Sequence, residues 1–230
     1  IRAMVESLFR ISSSEKDSER DSSVTGFGFP VSTPEGGVVD YEDPVQGFDV
    51  TYTHVKYTKG FKVSKEAMED DLYNIISKKP QALGRSFRRW RERSGAQVFN
   101  RAFNASFLGG DSEELCSTSH DRPDPTTGGV QSNASSTGVT LTEVNLETLY
   151  LQLRAQLDGK GMRIMARADK LLVPVELEKE ASEIIESPYR SGTADNDMNF
   201  WKGKLQIVSW DYMDRNATHW FLVDTGIHQL

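Results

Sequence analysis

The stretch FDVTYTHVKYT, residues 48–58, dominates the fold prediction, because it alternates along its whole length without building an apolar face. Valine, threonine and tyrosine favour β-strands, and in extended form the stretch reaches roughly 35 Å. Neither face is apolar enough to pack onto a core. A long strand with two polar faces is poorly stabilised alone and needs a neighbouring surface.

The residues before this strand predict the other half of a long hairpin. Phe27, Phe29 and Val31 alternate with other residues, at the two-residue period of a strand. The sequence PEGG at 34–37 combines proline and glycine, which favour a turn. We therefore predict a hairpin-like excursion of extended chain over residues 24–61.

The chain ahead of the hairpin predicts a short helix followed by an exposed arm. Val5, Leu8 and Phe9 share one side of an amphipathic helix over residues 1–11. Residues 12–23 contain no apolar side chain, which is typical of an exposed arm or linker. The sequence begins with isoleucine rather than methionine, so we expect a processed or partial product.

Two helices are predicted after the hairpin. Ser64 is a suitable N-cap for a helix over 65–78, and Pro80 opens a second helix that runs to Phe107. This second helix is roughly 42 Å long, and its apolar side chains change sides near Gly95. The two sets are Leu83, Phe87, Trp90 and Val98, and then Phe99, Phe103 and Phe107. A helix of this kind is held by different layers at its two ends and suits a structural strut.

The second half of the sequence alternates helices with short strands. A polar segment over 109–140 is far longer than an ordinary connection, so we expect it to be functional or ordered by a partner. The predicted elements are a helix begun by Thr142 and ended at 158–159, a strand over 170–173, a helix begun by Pro174, and strands over 205–210 and 220–223. The sequence contains no internal repeat.

Composition excludes several classes of protein. The 230 residues include 27 Lys and Arg against 34 Asp and Glu, which gives a net charge of −7, and one Cys. The acidic total argues against a nucleic-acid binder, and a single Cys excludes an internal disulfide. No apolar run approaches the ~20 residues that span a membrane. The composition fits an ordinary globular protein.

One basic cluster stands out against the acidic total. Residues 80–101 carry a net charge of +5, and the rest of the chain carries −12. The arginines are Arg85, Arg88, Arg89, Arg91, Arg93 and Arg101. Such a cluster can bind phosphate, form a solvated helix face, or pair with an acidic neighbour. The acidic total favours a solvated face or a protein partner over nucleic acid.

Catalytic and metal-binding patterns are weak. Cys116 and His120 have the chemistry to ligate zinc or to form a nucleophilic pair. A structural zinc site needs four ligands, however, and catalytic partners are seldom neighbours in sequence. We therefore predict no catalytic residue, no metal site and no cofactor. A metal- or thiol-dependent hydrolase that uses these two residues is the alternative from another functional class.

A series of short motifs resembles the major capsid proteins of tailed bacteriophages, in the Mu-like head-subunit branch. The motifs are QGF at 46–48, YTH at 52–54, KGFKVSKE at 59–66, DDLY at 70–73, LCSTSH at 115–120, SN at 132–133, LLVP at 171–174, Ala181 with IIES at 184–187, NDMN at 196–199 and WFL at 220–222. Each motif is short, and the resemblance depends on their shared order and spacing from about Val24 onward.

The resemblance implies an α+β shell fold of the Hong-Kong-ninety-seven type. The implied parts are an N-terminal arm at 1–23, an extended β-hairpin loop at 24–60, a peripheral domain at 61–139 with a spine helix at 80–107, an α/β axial domain at 140–197, and strands at 198–230 that return toward the peripheral domain. Family members usually continue past the position that matches Leu230. We therefore expect the peripheral domain to be incomplete at this end.

The implied function is structural, without enzymatic activity. The family's subunits assemble into hexamers and pentamers of an icosahedral head around double-stranded DNA, in the virion, after assembly in the host cytoplasm. Scaffold, portal and decoration proteins are further expected partners, with weak, non-specific contact to DNA and none to membranes. The candidate intersubunit contacts are Gly36, Tyr41, Gln46, Phe48, Tyr52, Arg85, Arg88 and Arg89. The alternatives are an encapsulin-like nanocompartment shell and a monomeric interaction domain.

Overall fold

The computed structural model describes residues 3–71, 74–124, 129–190 and 197–226. The strands are β1 (Ser18–Val24), β2 (Gln46–Thr53), β3 (His120–Asp121), β4 (Val130–Gln131), β5 (Lys170–Val173), β6 (Gln206–Ser209) and β7 (Phe221–Val223). The helices are α1 (Val5–Leu8), α2 (Lys65–Glu69), α3 (Ile75–Asn100), α4 (Glu143–Arg154) and α5 (Glu178–Ile185), the last preceded by a 3₁₀ turn at Val175–Leu177. No helix within these ranges is long and apolar enough to cross a membrane.

A three-stranded sheet forms the centre of the molecule. Its order is β6-β5-β7, with β5 parallel to β6 and antiparallel to β7. Leu171, Leu172 and Val173 of β5 are fully buried, as expected for a strand whose two faces are both covered. The strands predicted over 170–173, 205–210 and 220–223 are therefore confirmed, with shorter bounds for the last two.

Each face of this sheet packs on its own apolar cluster. On one face, Leu172 joins Phe99 of α3 and Trp210. On the other face, Leu171 joins the buried faces of α4 and α5, the latter through Ile185. Residues 198–230 are predicted to return toward the peripheral domain, apart from 140–197, but β6 and β7 pair with β5. One hydrogen-bonded sheet therefore joins these two segments, because strand pairing does not follow proximity in sequence.

Local capping signals predicted the starts of two helices correctly. The Ser64 side chain accepts the N–H of Ala67 at 3.2 Å, and the Thr142 side chain accepts the N–H of Asn145 at 3.2 Å. The helix that begins after Ser64 ends at Glu69 rather than at the predicted residue 78. Residues 72 and 73, which the prediction included, lie outside the described part of the chain.

The long helix α3 begins earlier and ends earlier than the predicted 80–107. Asp71 caps its start, since its side chain accepts the N–H groups of Ile75 at 3.0 Å and Ile76 at 2.9 Å. Pro80 lies inside the helix. The helix ends at Asn100, and a turn follows at Arg101. Its 26 residues extend about 39 Å.

The first strand of the hairpin lies earlier than predicted. Residues 27–31 form no strand, and the polar segment assigned to an exposed arm provides β1 instead. β1 pairs antiparallel with β2, from Ser18 opposite Thr53 to Val24 opposite Gln46. Asp49 of β2 accepts hydrogen bonds from the side chains of β1. Backbone pairing and polar cross-strand contacts hold this sheet, so no apolar alternation marks it.

The N-terminal helix is shorter than predicted but packs as its apolar side chains indicate. Val5 and Leu8 are buried in the same cluster as Phe99 and Trp210. The side chain of Glu92, which is buried in α3, accepts the N–H groups of Met4 at 3.1 Å and Val5 at 3.3 Å. Residues 1 and 2 of the predicted helix lie outside the described ranges. α1 is therefore a docked segment that α3 caps.

Candidate assembly surface

The hairpin ends in a long exposed loop, residues 25–45, which we call the tip. Its turn is the predicted one, since the N–H of Gly37 bonds to the carbonyl of Pro34 at 2.9 Å. Gly36 has a φ of +79°, a conformation that favours glycine. The tip carries large apolar side chains in solvent, namely Phe27, Phe29, Val31, Val38, Val39 and Tyr41. Such a concentration of exposed apolar groups is typical of an interaction surface.

The base of the tip is held to the body by polar contacts. Val45 and Thr25 exchange two hydrogen bonds of 2.8 and 2.9 Å across the base. Glu42 lies 2.7 Å from Lys160, whose ammonium also lies 2.8 Å from Asp124. Hydrogen bonds from Lys160 and from the backbone of Gly28 hold the pKa of Glu42 below its usual value. The carboxyl is therefore charged at neutral pH. These contacts fix the tip at its base, whereas its end, residues 29–41, makes hydrogen bonds only within the tip.

The predicted contact residues of the hairpin differ in how exposed they are. Gly36 and Tyr41 lie in the exposed tip, and Tyr52 of β2 is also exposed. Gln46 is exposed and donates to Asp49 at 3.2 Å. Phe48 is half-buried and its Cβ lies against Gly110, so this side chain packs within its own subunit.

The N-terminal part of α3, residues 75–91, contains no buried side chain in the structure. Its apolar stripe therefore lies open: Phe87 is 38% exposed and Trp90 is 40% exposed. The ring of Tyr57 contacts that of Trp90, with centroids 3.9 Å apart. We call this segment the exposed half of α3. A helix that exposes an apolar stripe has a surface available for a partner.

The basic residues of the exposed half of α3 lie opposite this stripe. Arg91 pairs with Glu6 at 2.6 Å. In the part of the chain that the structure describes, Arg85, Arg88 and Arg89 are exposed and have no ion-pair partner. This arrangement corresponds to the predicted solvated or partner-binding face. The helix thus presents charge on one side and aromatic rings on the other.

Within the described residues, Cys116 and His120 share no hydrogen bond. His120 Nδ1 lies 2.6 Å from Asp111 Oδ2, and its buried Nε2 has no hydrogen-bond partner among the described residues. Burial, with a smaller effect of Glu114, raises the pKa of the Cys116 thiol to about 12. The described ranges also contain no group of three His, Cys, Asp or Glu side chains able to hold a metal ion.

The polar segment over 109–140 is partly structured. It contains the short hairpin of β3 and β4, and its residues 125–128 lie outside the described ranges. The N–H of Cys116 bonds to the carbonyl of Ala102 at 2.8 Å, and Gln131 bonds to Leu157 with both groups of its amide. The contacts of Gln131 connect the segment to the loop after α4.

Sequence reasoning missed the polar contacts at the base of the tip. Glu42, Asp124 and Lys160 are far apart in sequence and belong to no motif. One signal was available, because residues 24–47 contain four acidic residues and no basic residue. That imbalance indicates a surface with a basic partner.

Comparisons with known proteins agree with this architecture. The sequence matches a phage capsid protein family over residues 47–229. No curated protein is significantly similar in sequence. Similar solved structures include the capsid of bacteriophage JBD30, with a TM-score of 0.75 and 14% identity over 91% of this chain and 90% of that chain. A second is the JBD30 capsid decorated with minor capsid protein trimers, with a TM-score of 0.68 and 15% identity over 93% and 92%.

The procapsid of JBD30 is also similar, with a TM-score of 0.58 and 16% identity over 86% of this chain and 88% of that chain. At such low identities these structures show a shared fold, of mixed helices and strands. The family match covers most of the sequence, including α3, the central sheet and all of β2 after Gln46. The chain belongs to the phage capsid protein family.

Proposed function

We propose that this protein is the major capsid subunit of a tailed bacteriophage, in the Mu-like branch with the Hong-Kong-ninety-seven-type fold. In this proposal, copies form the hexamers and pentamers of a head that encloses double-stranded DNA, and assembly takes place in the host cytoplasm. The observation that carries the proposal is the pair of open surfaces, the tip and the exposed half of α3. A subunit that works by assembly needs such surfaces and needs no active site.

The two open surfaces are complementary in charge and in apolar character. The tip carries four acidic side chains without a basic one, whereas the exposed half of α3 carries six basic side chains without an acidic one. Both surfaces also expose aromatic rings. We therefore propose that the tip of one subunit lies across the exposed half of α3 of the next subunit. In this arrangement Glu35 and Asp40 face Arg85, Arg88 and Arg89.

The same proposal assigns the parts of the fold. The hairpin of β1 and β2 is the extended loop, and α3 is the spine helix of the peripheral domain. The central sheet with α4 and α5 is the core of the axial domain. Scaffold and portal proteins are expected partners during assembly. Decoration proteins are expected as well, since the similar JBD30 capsid is decorated with minor capsid protein trimers.

Replacing residues 29–41 by a short Gly-Ser linker tests the proposal. These residues form hydrogen bonds only within the tip, so the variant should keep the thermal unfolding midpoint of the unassembled protein. Negative-stain electron microscopy should show shells for the parent protein and none, or far fewer, for the variant. A variant that unfolds, or that forms shells as the parent does, contradicts the placement of the contact.

A charge exchange identifies the two surfaces directly. Changing Glu35 and Asp40 to Lys, or Arg85 and Arg88 to Glu, should each slow shell formation, and mixing the two variants should restore part of the rate. Restoration by mixing would not occur if DNA were the partner of the arginines. Small DNA-free shells that co-purify with cargo proteins would instead favour a nanocompartment.

A further inference from the structure

One ammonium group joins three parts of the molecule at the base of the tip. Lys160 Nζ lies 2.7 Å from Glu42 Oε1 and 2.8 Å from Asp124 Oδ2. The other carboxylate oxygen of Glu42 accepts the N–H of Gly28 at 2.6 Å. The outgoing and the returning arm of the tip are therefore both connected to the body through the side chain of Lys160. The pairing of Thr25 with Val45 lies just below this point.

The body side of this connection is rigid. Asp158 Oδ1 accepts the N–H groups of Lys160 at 2.9 Å and of Met162 at 2.8 Å, which fixes the turn that carries the lysine. Gly161 has a φ of +80°, as this tight turn requires. The side chain of Lys160 is 7% exposed and that of Asp124 is 1% exposed. Lys160 is therefore held in place by contacts within the body that do not involve the tip.

The tip side is the movable one. The side chain of Glu42 is 37% exposed, and residues 29–41 beyond it make hydrogen bonds only with one another. Nothing among the described residues other than the base therefore sets the direction in which this end of the tip leaves the molecule. A shift at Glu42 would change that direction, because the end of the tip moves with its base.

We propose that Lys160 is a positioning residue that sets the direction of the tip through Glu42. The inference rests on the proposed function, in which the tip docks on an adjacent subunit. The lysine acts in two ways. It attracts the carboxylate of Glu42. It also lies between that carboxylate and the nearly inaccessible carboxylate of Asp124, which would otherwise repel each other. Without the ammonium, the attraction would be replaced by repulsion.

The test compares Glu42→Gln with Glu35→Gln in the full, unassembled chain. Both variants remove one negative charge from the tip, but Glu35 is exposed and lies in the unattached end. A glutamine at position 42 can still accept the N–H of Gly28, whereas it loses the ion pair with Lys160. Hydrogen–deuterium exchange of the three hydrogen-bonded amides at the base, those of Thr25, Gly28 and Val45, is the measurement, because the amides of the exposed end have little protection to lose.

We expect these amides to exchange about two- to fivefold faster in Glu42→Gln, the range for loss of one accessible ion pair. They should be unchanged in Glu35→Gln. Lys160→Met should produce a larger increase, because it also leaves Asp124 facing Glu42. Circular dichroism establishes that each variant is folded. Exchange in Glu42→Gln and Lys160→Met that equals the Glu35→Gln control would overturn the inference.

Assembly of the same variants separates this inference from the proposed function. Faster exchange with slower shell formation supports both. Faster exchange with normal shell formation supports the positioning by Lys160 and contradicts docking of the tip.

Discussion

Two glycines of α3 offer a matched test of how the N-terminal segment packs on this helix. A Cβ atom added at Gly84 would meet no atom within 4 Å. A Cβ atom added at Gly95 would lie 2.7 Å from Cγ2 of Val5 and 3.1 Å from the ring of Trp210. Helix propensity is the same at both positions, so the contacts alone distinguish the two substitutions.

The magnitudes follow from these contacts. Alanine in place of an interior helical glycine stabilises by about 0.8–1 kcal/mol. Gly84→Ala should therefore raise the free energy of unfolding by about that amount. Gly95→Ala makes the same gain in helix propensity, but its methyl group displaces the side chains of Val5 and Trp210. Overpacking of a core in this way costs about 1–3 kcal/mol. We expect a net change between about zero and a loss of about 2 kcal/mol.

The assay is urea unfolding of the unassembled protein, followed by circular dichroism, for the parent and both variants. A double variant that combines Gly95→Ala with Val5→Ala provides the internal control. The shortened side chain makes room for the new methyl group, so this double variant should be less destabilised than the sum of its single changes. Equal stabilisation by Gly84→Ala and Gly95→Ala would refute the docking of α1 against α3.

Three other substitutions or treatments test separate parts of the structure. Glu92→Ala removes the acceptor of the N–H groups of Met4 and Val5 at the start of α1 and should lower the free energy of unfolding by about 1–3 kcal/mol in urea, more than Glu92→Gln does. Changing Arg85 and Arg88 to Glu together should slow shell formation, followed by light scattering, without lowering the melting temperature, because both side chains are exposed. Cys116 should resist iodoacetamide at pH 8 until the protein unfolds, since its raised pKa leaves about a thousandfold less thiolate than an ordinary thiol has.

The parts of the fold that could be predicted are those with local signals. Ser64 and Thr142 cap the helices that follow them, and the apolar run 170–173 is the central strand. The start of α3 could not be predicted. The helix begins after a cap by Asp71, whereas Pro80 suggested that it begins later. β1 could not be predicted either. Its polar residues are ordered by backbone pairing with β2, which is distant in sequence, and such pairing produces no apolar alternation that a sequence pattern could reveal.

The candidate surface was predictable in composition but not in geometry. The turn at Gly36 and the cluster of arginines are visible in the sequence, and both lie exposed as expected. Phe48 was also a candidate contact, but it packs inside the chain against Gly110. The connection from Glu42 to Lys160 has no signature, because it joins a loop to a turn that is remote in sequence. Sequence patterns identify groups that lack a partner more readily than they identify the partner.

The two kinds of contact proposed for the tip have different roles. Burial of an apolar side chain such as Phe29 or Val38 stabilises by about 1.5–3 kcal/mol, whereas an exposed ion pair contributes about 0–1 kcal/mol. The apolar residues therefore supply most of the affinity, and the charges select the surface and increase the rate of encounter. Because the tip and α3 are different surfaces, their contact is heterologous, and every copy is satisfied only when the copies close into a ring. In the proposed ring, the angle between tip and body would set the number of copies, so a change at Lys160 would affect assembly without altering any residue that touches the next subunit.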